Sequence, residues 1–162
     1  ASRAKRFMSE WFAQFPGVQR WIRDTENQVI RDGFVETLFG RRRRLLGASR
    51  VDGTGREVMR QGVNSPIQGS AVDLTLLGMA LLHKWMERNH FKSKLILTVH
   101  DSILVDVYPG EKDDLDHEIH AIFENLPLKE LFGIDLLVPL KMDVAFVRTW
   151  EDCEELLGKL YR

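Results

Sequence analysis

Between Leu95 and Val107 two apolar, β-branched runs, Leu95-Ile96-Leu97-Thr98-Val99 and Ile103-Leu104-Val105, flank the polar break His100-Asp101-Ser102. Such a pattern predicts a β-hairpin with the polar triplet at its tip. The runs are too apolar to face water on both sides, so the hairpin should lie in a core with its tip protruding. A carboxylate on a rigid hairpin tip suits a hard divalent cation. The competing reading is a turn-forming Asp that bonds its own backbone.

Charge is distributed unevenly around this hairpin. The formal net charge of the 162 residues is -1, yet residues 1–66 hold 13 Lys/Arg against 7 Asp/Glu, and the remainder is acidic. A basic first part meets a polyanion, while the acidic remainder is solvated or binds metal. Near-neutral overall charge argues against a protein that simply coats nucleic acid. With one cysteine, Cys153, there is no internal disulfide and no cysteine-based zinc site, and a reducing compartment is expected. No apolar run reaches the roughly 20 residues of a membrane span, and the basic start Ala1–Arg6 precedes an amphipathic helix, not a signal segment.

Taken in order, Phe7, Trp11 and Phe15 mark one face of a helix over residues 3–15, ended by Pro16-Gly17. A second helix is expected from Val18 to about Arg31, stopping at Asp32-Gly33. Phe34–Leu38 reads as a strand, Phe39-Gly40 as a turn, Arg41–Leu46 as the return strand, and 47–55 as loop. Helical patterning then runs from about Arg56 to Arg88, with Leu74, Leu77, Leu81 and Trp85 facing the core. Pro66 lacks a backbone donor and should kink or split this helix. After the hairpin come a helix over Lys112–Glu124, a strand near Leu137–Val144, and a short acidic helix after Thr149. From Arg56 the order α-β-β-α-β is a ferredoxin-like split βαβ pattern lacking its first strand. The fold class is therefore α+β.

Two further features bear on chemistry. Arg60, Asn64 and Gln68 recur every four residues, within a stripe about 80° wide and about 12 Å long on a helix. Arg offers donors, Asn and Gln both donors and acceptors, which suits minor-groove edges with little sequence preference. An ordinary solvated helix face is the alternative. Arg41, Arg42, Arg43 and Arg44 alternate across a strand, so at most half meet one phosphate backbone together; a charge-protected edge strand is the alternative. The pair His117/His120 decorates an exposed helix face.

Phe15-Pro16-Gly17-Val18, Gly33 through Arg43, Arg60 through Asp73 (with Asn64-Ser65-Pro66-Ile67-Gln68-Gly69) and Val99-His100-Asp101 occur in one order. Together they closely resemble the C-terminal part of family A DNA polymerases, the bacterial DNA polymerase I type with phage and organellar members. The resemblance covers nearly the whole chain, from the end of the fingers through the palm. It implies a fingers segment over 1–55 and a palm over 56–162, joined as one unit with a palm-type antiparallel sheet. Asp101 matches the second palm carboxylate, a ligand of catalytic Mg²⁺. Arg60, Asn64 and Gln68 match helix residues that contact template and primer, and His100 matches a histidine beside the primer terminus. Arg41 of the basic run is a further candidate for DNA contact.

The implied reaction is two-metal phosphoryl transfer, a primer 3′-hydroxyl attacking a dNTP α-phosphate on a DNA template. Where the family usually has Glu after the hairpin Asp, this chain has Ser102, which supplies no charge and is given no metal role. The family's other palm carboxylate and its dNTP-binding fingers helix would precede Ala1. The expected partners are thus primer–template DNA, dNTP and an N-terminal polymerase portion or subunit, without a membrane. The implied location is the cytoplasm of a bacterial or phage-infected cell, or an organelle. The rival class is a non-catalytic primer–template-binding accessory module derived from a palm. Ser102 and the absent strand favour the module; Asp101 beside Arg60, Asn64 and Gln68 favours the polymerase.

Overall fold

A computed structural model describes residues 2–47, 53–99, 101–149 and 151–153. The chain is α+β, as expected. Helix α1 (Ser2–Gln14) and helix α2 (Pro16–Asp32) lead into strands β1 (Phe34–Glu36) and β2 (Arg42–Arg44). Helix α3 (Gly53–Arg88) follows, then strands β3 (Lys94–Val99) and β4 (Ser102–Asp106), helix α4 (Lys112–Glu124) and helix α5 (Leu128–Phe132). Both hairpins are antiparallel two-stranded sheets. No helix among the described residues is long and apolar enough to cross a membrane.

Pro16 starts α2 two residues before the expected Val18, because its fixed φ suits the first helical position. Gly33 ends that helix in the left-handed conformation (φ 71°), with its N–H bonded to Val29 O. The expected apolar face of α1 forms, but Phe7, Trp11 and Phe15 stay exposed, and Trp11 rests on Phe15 at 4.9 Å between ring centroids.

Helix α3 is the spine. Its 36 residues rise about 54 Å, and of the kink or split expected at Pro66 the split does not occur: the helix is continuous through it. Ser65 and Ser70 on either side of it are buried, and their hydroxyls donate back to Gln61 O and Pro66 O, so the segment is held by packing and not by replacement of the bond that Gly62 O loses. Beside the first half of α3, Val29, Val35 and Leu45 form one core with Val58 and Met59. Beside the second half, Leu82, Met86, Leu115, Ile119 and Phe123 form another, with Leu95, Ile103 and Val105 of the hairpin packed against it.

The deepest positions of that half are Gly78, Leu82 and Met86, one residue on from the expected Leu77, Leu81 and Trp85, which are half-buried. Gly78 sets the phase. A Cβ there would penetrate the Phe123 ring, so the bare backbone lets α4 sit against it. Helix α4 has the expected bounds and buries Leu115, Ile119 and Phe123 at spacing four.

In the second hairpin Val99 pairs with Ser102, Asp101 lies in the connecting turn, and a bulge at Ile96 breaks the register between Leu95 and Leu97. Ser102 therefore opens β4 and does not belong to the tip. One face packs on the second core; Ile96 and Leu97 on the other are exposed, so the hairpin lies on a core and not within one. Its base is closed by Glu111, which accepts from Lys92 N at 2.8 Å and Ser93 N at 2.9 Å. Burial alone would raise the Glu111 carboxyl, but these bonds and that from Ser93 Oγ hold it below its usual range.

The expected strand at Leu137–Val144 is not formed; helix α5, absent from the sequence reading, precedes an extended run with no ladder partner among the described residues. Glu124 ties that run to α4, accepting from Lys141 Nζ at 3.0 Å and Met142 N at 3.3 Å. After Thr149 residues 151–153 are helical, as expected, through a reciprocal cap: Asp152 N donates to Thr149 Oγ1 at 3.2 Å and Thr149 N to Asp152 Oδ2 at 3.0 Å.

The Lys141 ammonium, Met142 N–H and His120 hold the Glu124 carboxyl down to about 2 from its ordinary 4.5. A lowered carboxylate pKa stabilises above the unfolded value and loses that contribution as pH falls through the folded one. Protection of the Met142 amide from hydrogen exchange is therefore expected to be full above pH 4.5 and to decline between 4.5 and about 2. In Glu124→Gln that acid-dependent decline should vanish. Separately, Gly78→Ala should cost about 1–3 kcal/mol in denaturant titration, the usual range for overpacking, and Phe123→Leu in the same chain should return part of it.

Candidate nucleic-acid interface

Helix α3 displays Arg60, Asn64 and Gln68 on one exposed face, as the spacing predicts. Asn64 and Gln68 make no side-chain hydrogen bond among the described residues, so their amides are open to a ligand. Arg60 is held differently: its guanidinium pairs with Glu57 one turn earlier. Gln61 Nε2 donates to the same carboxylate at 3.3 Å, while Arg43 donates to Gln61 Oε1 at 3.2 Å. Gln61 and then the Arg60 charge draw the Glu57 carboxyl below its usual range. An exposed pair of this kind is worth little and opens readily to a competing anion or base edge.

The basic run lies beside this face. Glu36 pairs opposite Arg42 in the β1–β2 ladder, and Arg42 Nε donates to Glu36 Oε1 at 2.6 Å with its guanidinium 4.7 Å from the Phe34 ring. Arg43 and Arg41 turn the other way, toward α3, so alternation divides the run as expected. Arg41 Nε donates to Asp73 Oδ1 at 2.7 Å and its Nη2 to Gly69 O at 3.1 Å. Between hairpin and helix lies a cleft of about 260 Å³ lined by Glu36, Thr37, Arg41, Arg43 and Gln68 among others. Arg41, Arg43 and Gln68 thus meet at one cleft.

Asp101 occupies the β3–β4 turn and is exposed. His100 lies outside the described residues. The turn is carried by the second core and the Arg60–Gln68 stripe flanks the first, so α3 fixes their relation. Among the described residues no three His, Cys, Asp or Glu side chains gather where a metal ion could sit. Asp101 suits Mg²⁺ as one anionic oxygen ligand, since that ion uses one or two carboxylates and completes its shell with water and substrate phosphates.

Residues that the sequence reading passed over are Asp73, Ser70 and Glu57. Glu57 was detectable as an opposite charge three residues before Arg60. Asp73 was not, because it meets an arginine 32 residues away.

The family model for DNA polymerase family A matches residues 1–152. Curated relatives include the DNA polymerase of Bacillus phage SP01, 35% identical over 159 residues, covering 92% of this chain and 17% of the phage protein. DNA polymerase I of Lactococcus lactis subsp. lactis (strain IL1403) is 34% identical, covering 93% of this chain and 16% of the relative. Among solved structures, the POL domain of Pol1 from M. smegmatis, in complex with DNA primer-template and dNTP, superposes with a TM-score of 0.74 at 32% identity. It covers 86% of this chain and 24% of that one. The chain spans about a sixth of the length of these curated relatives.

Because the exposed side chains of Asn64 and Gln68 make no hydrogen bond among the described residues, Asn64→Ala and Gln68→Ala should each change stability by no more than about 0.5 kcal/mol. Asp73→Ala, which strips a carboxylate from Arg41, should cost more. Denaturant titration of the three variants side by side checks the ordering.

Proposed function

The chain belongs to DNA polymerase family A, and from that premise we propose that it is the C-terminal part of a DNA-directed DNA polymerase, extending a primer 3′ end with dNTPs on a DNA template. Residues 1–55 are the end of its fingers segment and 56–162 its palm. The observation that carries the reading is the joint presence, on and beside one long helix, of an exposed Arg60–Asn64–Gln68 stripe and a hairpin with Asp101 in its turn.

Asn64 and Gln68 offer amide donors and acceptors to minor-groove positions that every base pair presents, so they hold the primer–template without selecting its sequence. Arg60 adds charge on the same face once it leaves Glu57. His100 takes the role of the family histidine that meets the primer terminus. Arg41 serves the same surface from the hairpin side. Asp101 would hold Mg²⁺, which when bound would lower the pKa of the primer 3′-hydroxyl and offset charge on the dNTP phosphates. The hairpin turn fixes that carboxylate on a two-stranded ladder anchored in the second core. A second carboxylate and the dNTP-binding fingers helix come from the remaining, N-terminal polymerase portion. Ser102 opens β4 through its backbone pairing with Val99 and contributes no charge.

Asp101→Ala in the polymerase containing this chain should abolish Mg²⁺-dependent primer extension while leaving primer–template affinity within about twofold, since the carboxylate serves chemistry and not duplex binding. Extension assays and a DNA titration on one preparation decide it. Near-normal extension would remove Asp101 from the metal site. Strong DNA binding with no extension by the wild-type assembly would favour the accessory module. Ser102→Glu is expected to change rate or metal preference only modestly.

A further inference from the structure

The turn from Thr37 to Arg41 is unusually well fastened for an exposed hairpin end. Its own shape comes from Thr37, whose Oγ1 accepts from Phe39 N at 3.3 Å and Arg41 N at 3.2 Å, and from Gly40 at φ 76°. Three polar contacts then bind it to the α3 turn that follows Gln68. Leu38 N donates to Ser70 Oγ at 2.9 Å, Arg41 Nε to Asp73 Oδ1 at 2.7 Å, and Arg41 Nη2 to Gly69 O at 3.1 Å. Close approach needs a bare backbone. A Cβ at Gly69 would stand 2.6 Å from Thr37 Cγ2 and 3.3 Å from Arg41 Nη2.

The ion pair is lopsided. The Arg41 side chain is 54% exposed but that of Asp73 only 11%. Asp73 Oδ2 is inaccessible and makes no hydrogen bond among the described residues. Two donors of the Arg41 fork are already committed to α3, and its charge already answers a covered carboxylate. An arginine used this way is poorly placed to answer a phosphate as well, yet it lines the same cleft as Gln68 and bonds the carbonyl of the next residue.

We propose that Arg41 and Asp73 are positioning residues: their ion pair latches the Thr37–Arg41 turn onto α3 and so sets Gln68 for the primer–template, without either side chain touching DNA. The inference rests on the reading of Gln68 as a DNA contact. It assigns Asp73 a role in the polymerase reaction and moves Arg41 from contact to support.

The test uses the polymerase that contains this chain, with a defined primer–template as probe. Steady-state extension, DNA affinity across a salt series and thermal melting are measured for Gln68→Ala, Arg41→Lys, Arg41→Gln, Asp73→Asn, Gly69→Ala and Gly69→Ala with Thr37→Ser. Lysine keeps the charge but not the fork that spans Asp73 and Gly69 O. The expected result is a loss of about 10- to 100-fold in kcat/KM for Arg41→Lys and for Asp73→Asn, the scale of a misplaced contact. The two combined should be no worse than the more impaired single change. The salt slope of DNA binding should be unchanged in Arg41→Gln, whereas loss of a phosphate contact lowers it by about one.

Thr37→Ser keeps the hydroxyl that shapes the turn and removes the methyl that a Cβ at position 69 would strike. It should therefore restore most of the activity lost in Gly69→Ala. That rescue decides the matter even if Asp73→Asn fails to fold.

Wild-type kinetics in Asp73→Asn, a salt slope lowered by about one in Arg41→Gln, or no rescue by Thr37→Ser would each overturn the latch. If Gln68→Ala alone extends and binds like wild type, the groove-contact reading of α3 fails first and the latch falls with it. If Gln68→Ala is impaired and the latch variants are not, only the latch is wrong.

Discussion

The structure depends on how closely other elements approach the backbone of α3. One helix serves two cores, and at three places along it a glycine stands where a side chain would hold its neighbour away. At Gly62 a Cβ would lie 2.6 Å from Val29 of α2, at Gly69 2.6 Å from Thr37 of the first hairpin, and at Gly78 within the Phe123 ring of α4. Glycine in a helix interior costs up to about 1 kcal/mol against alanine. Three such positions in one helix are sustained by what they admit: α2 and β1 on the first half, α4 on the second. The same packing carries the helix through Pro66, where propensity alone would end it. Both parts of the proposed site are hung from this spine, the stripe directly and the Asp101 turn through the second core.

Electrostatics then divides the basic surface into fixed and free parts. Arg42 is balanced by Glu36 within the ladder, Arg41 by Asp73 on α3, and Arg60 by Glu57 within its own helix. These pairs differ in kind. The Arg60–Glu57 pair is exposed on both sides and so is screened and easily exchanged, whereas Asp73 is largely covered and leaves Arg41 little freedom. A row of arginines that counts as a polyanion site by composition therefore presents a smaller free charge than its number suggests. The open amides of Asn64 and Gln68 lie on the exposed helix face beside it.

Elements whose signal is local were legible in the sequence. Helix α4 has the bounds its spacing and flanks predict, both hairpins fall where β-branched runs meet turn residues, and Thr149 caps a helix through an Asp three residues on. The exposed stripe of Arg60, Asn64 and Gln68 follows from a four-residue period alone. What stayed illegible depends on contacts distant in sequence. The core phase of α3 is set by Gly78, which carries no apolar signal of its own, so the pattern points to Leu77 and Leu81 instead. The partner of Arg41 is Asp73, 32 residues away, which the sequence offers only as one acid among many. By polarity Ser102 reads as part of the hairpin tip, but its pairing with Val99 makes it the first residue of a strand.

The segment near Leu137–Val144 separates two signals that the period-2 pattern combines. Leu140, Met142 and Val144 are half-buried while Lys141 and Asp143 are exposed, so alternation correctly identifies the inward face. Met142 and Val144 reach the second core, and Glu124 bonds the backbone at Met142. No ladder forms among the described residues, because alternation reports burial and a strand requires a neighbour to receive its N–H and C=O groups. The two are independent physical demands. Side-chain burial is met here by the flank of α4, and one carboxylate held near pKa 2 supplies a fixed backbone contact in place of a sheet. A pattern read as strand is thus a statement about faces, and it becomes a statement about sheets only where the partner strand is also in hand.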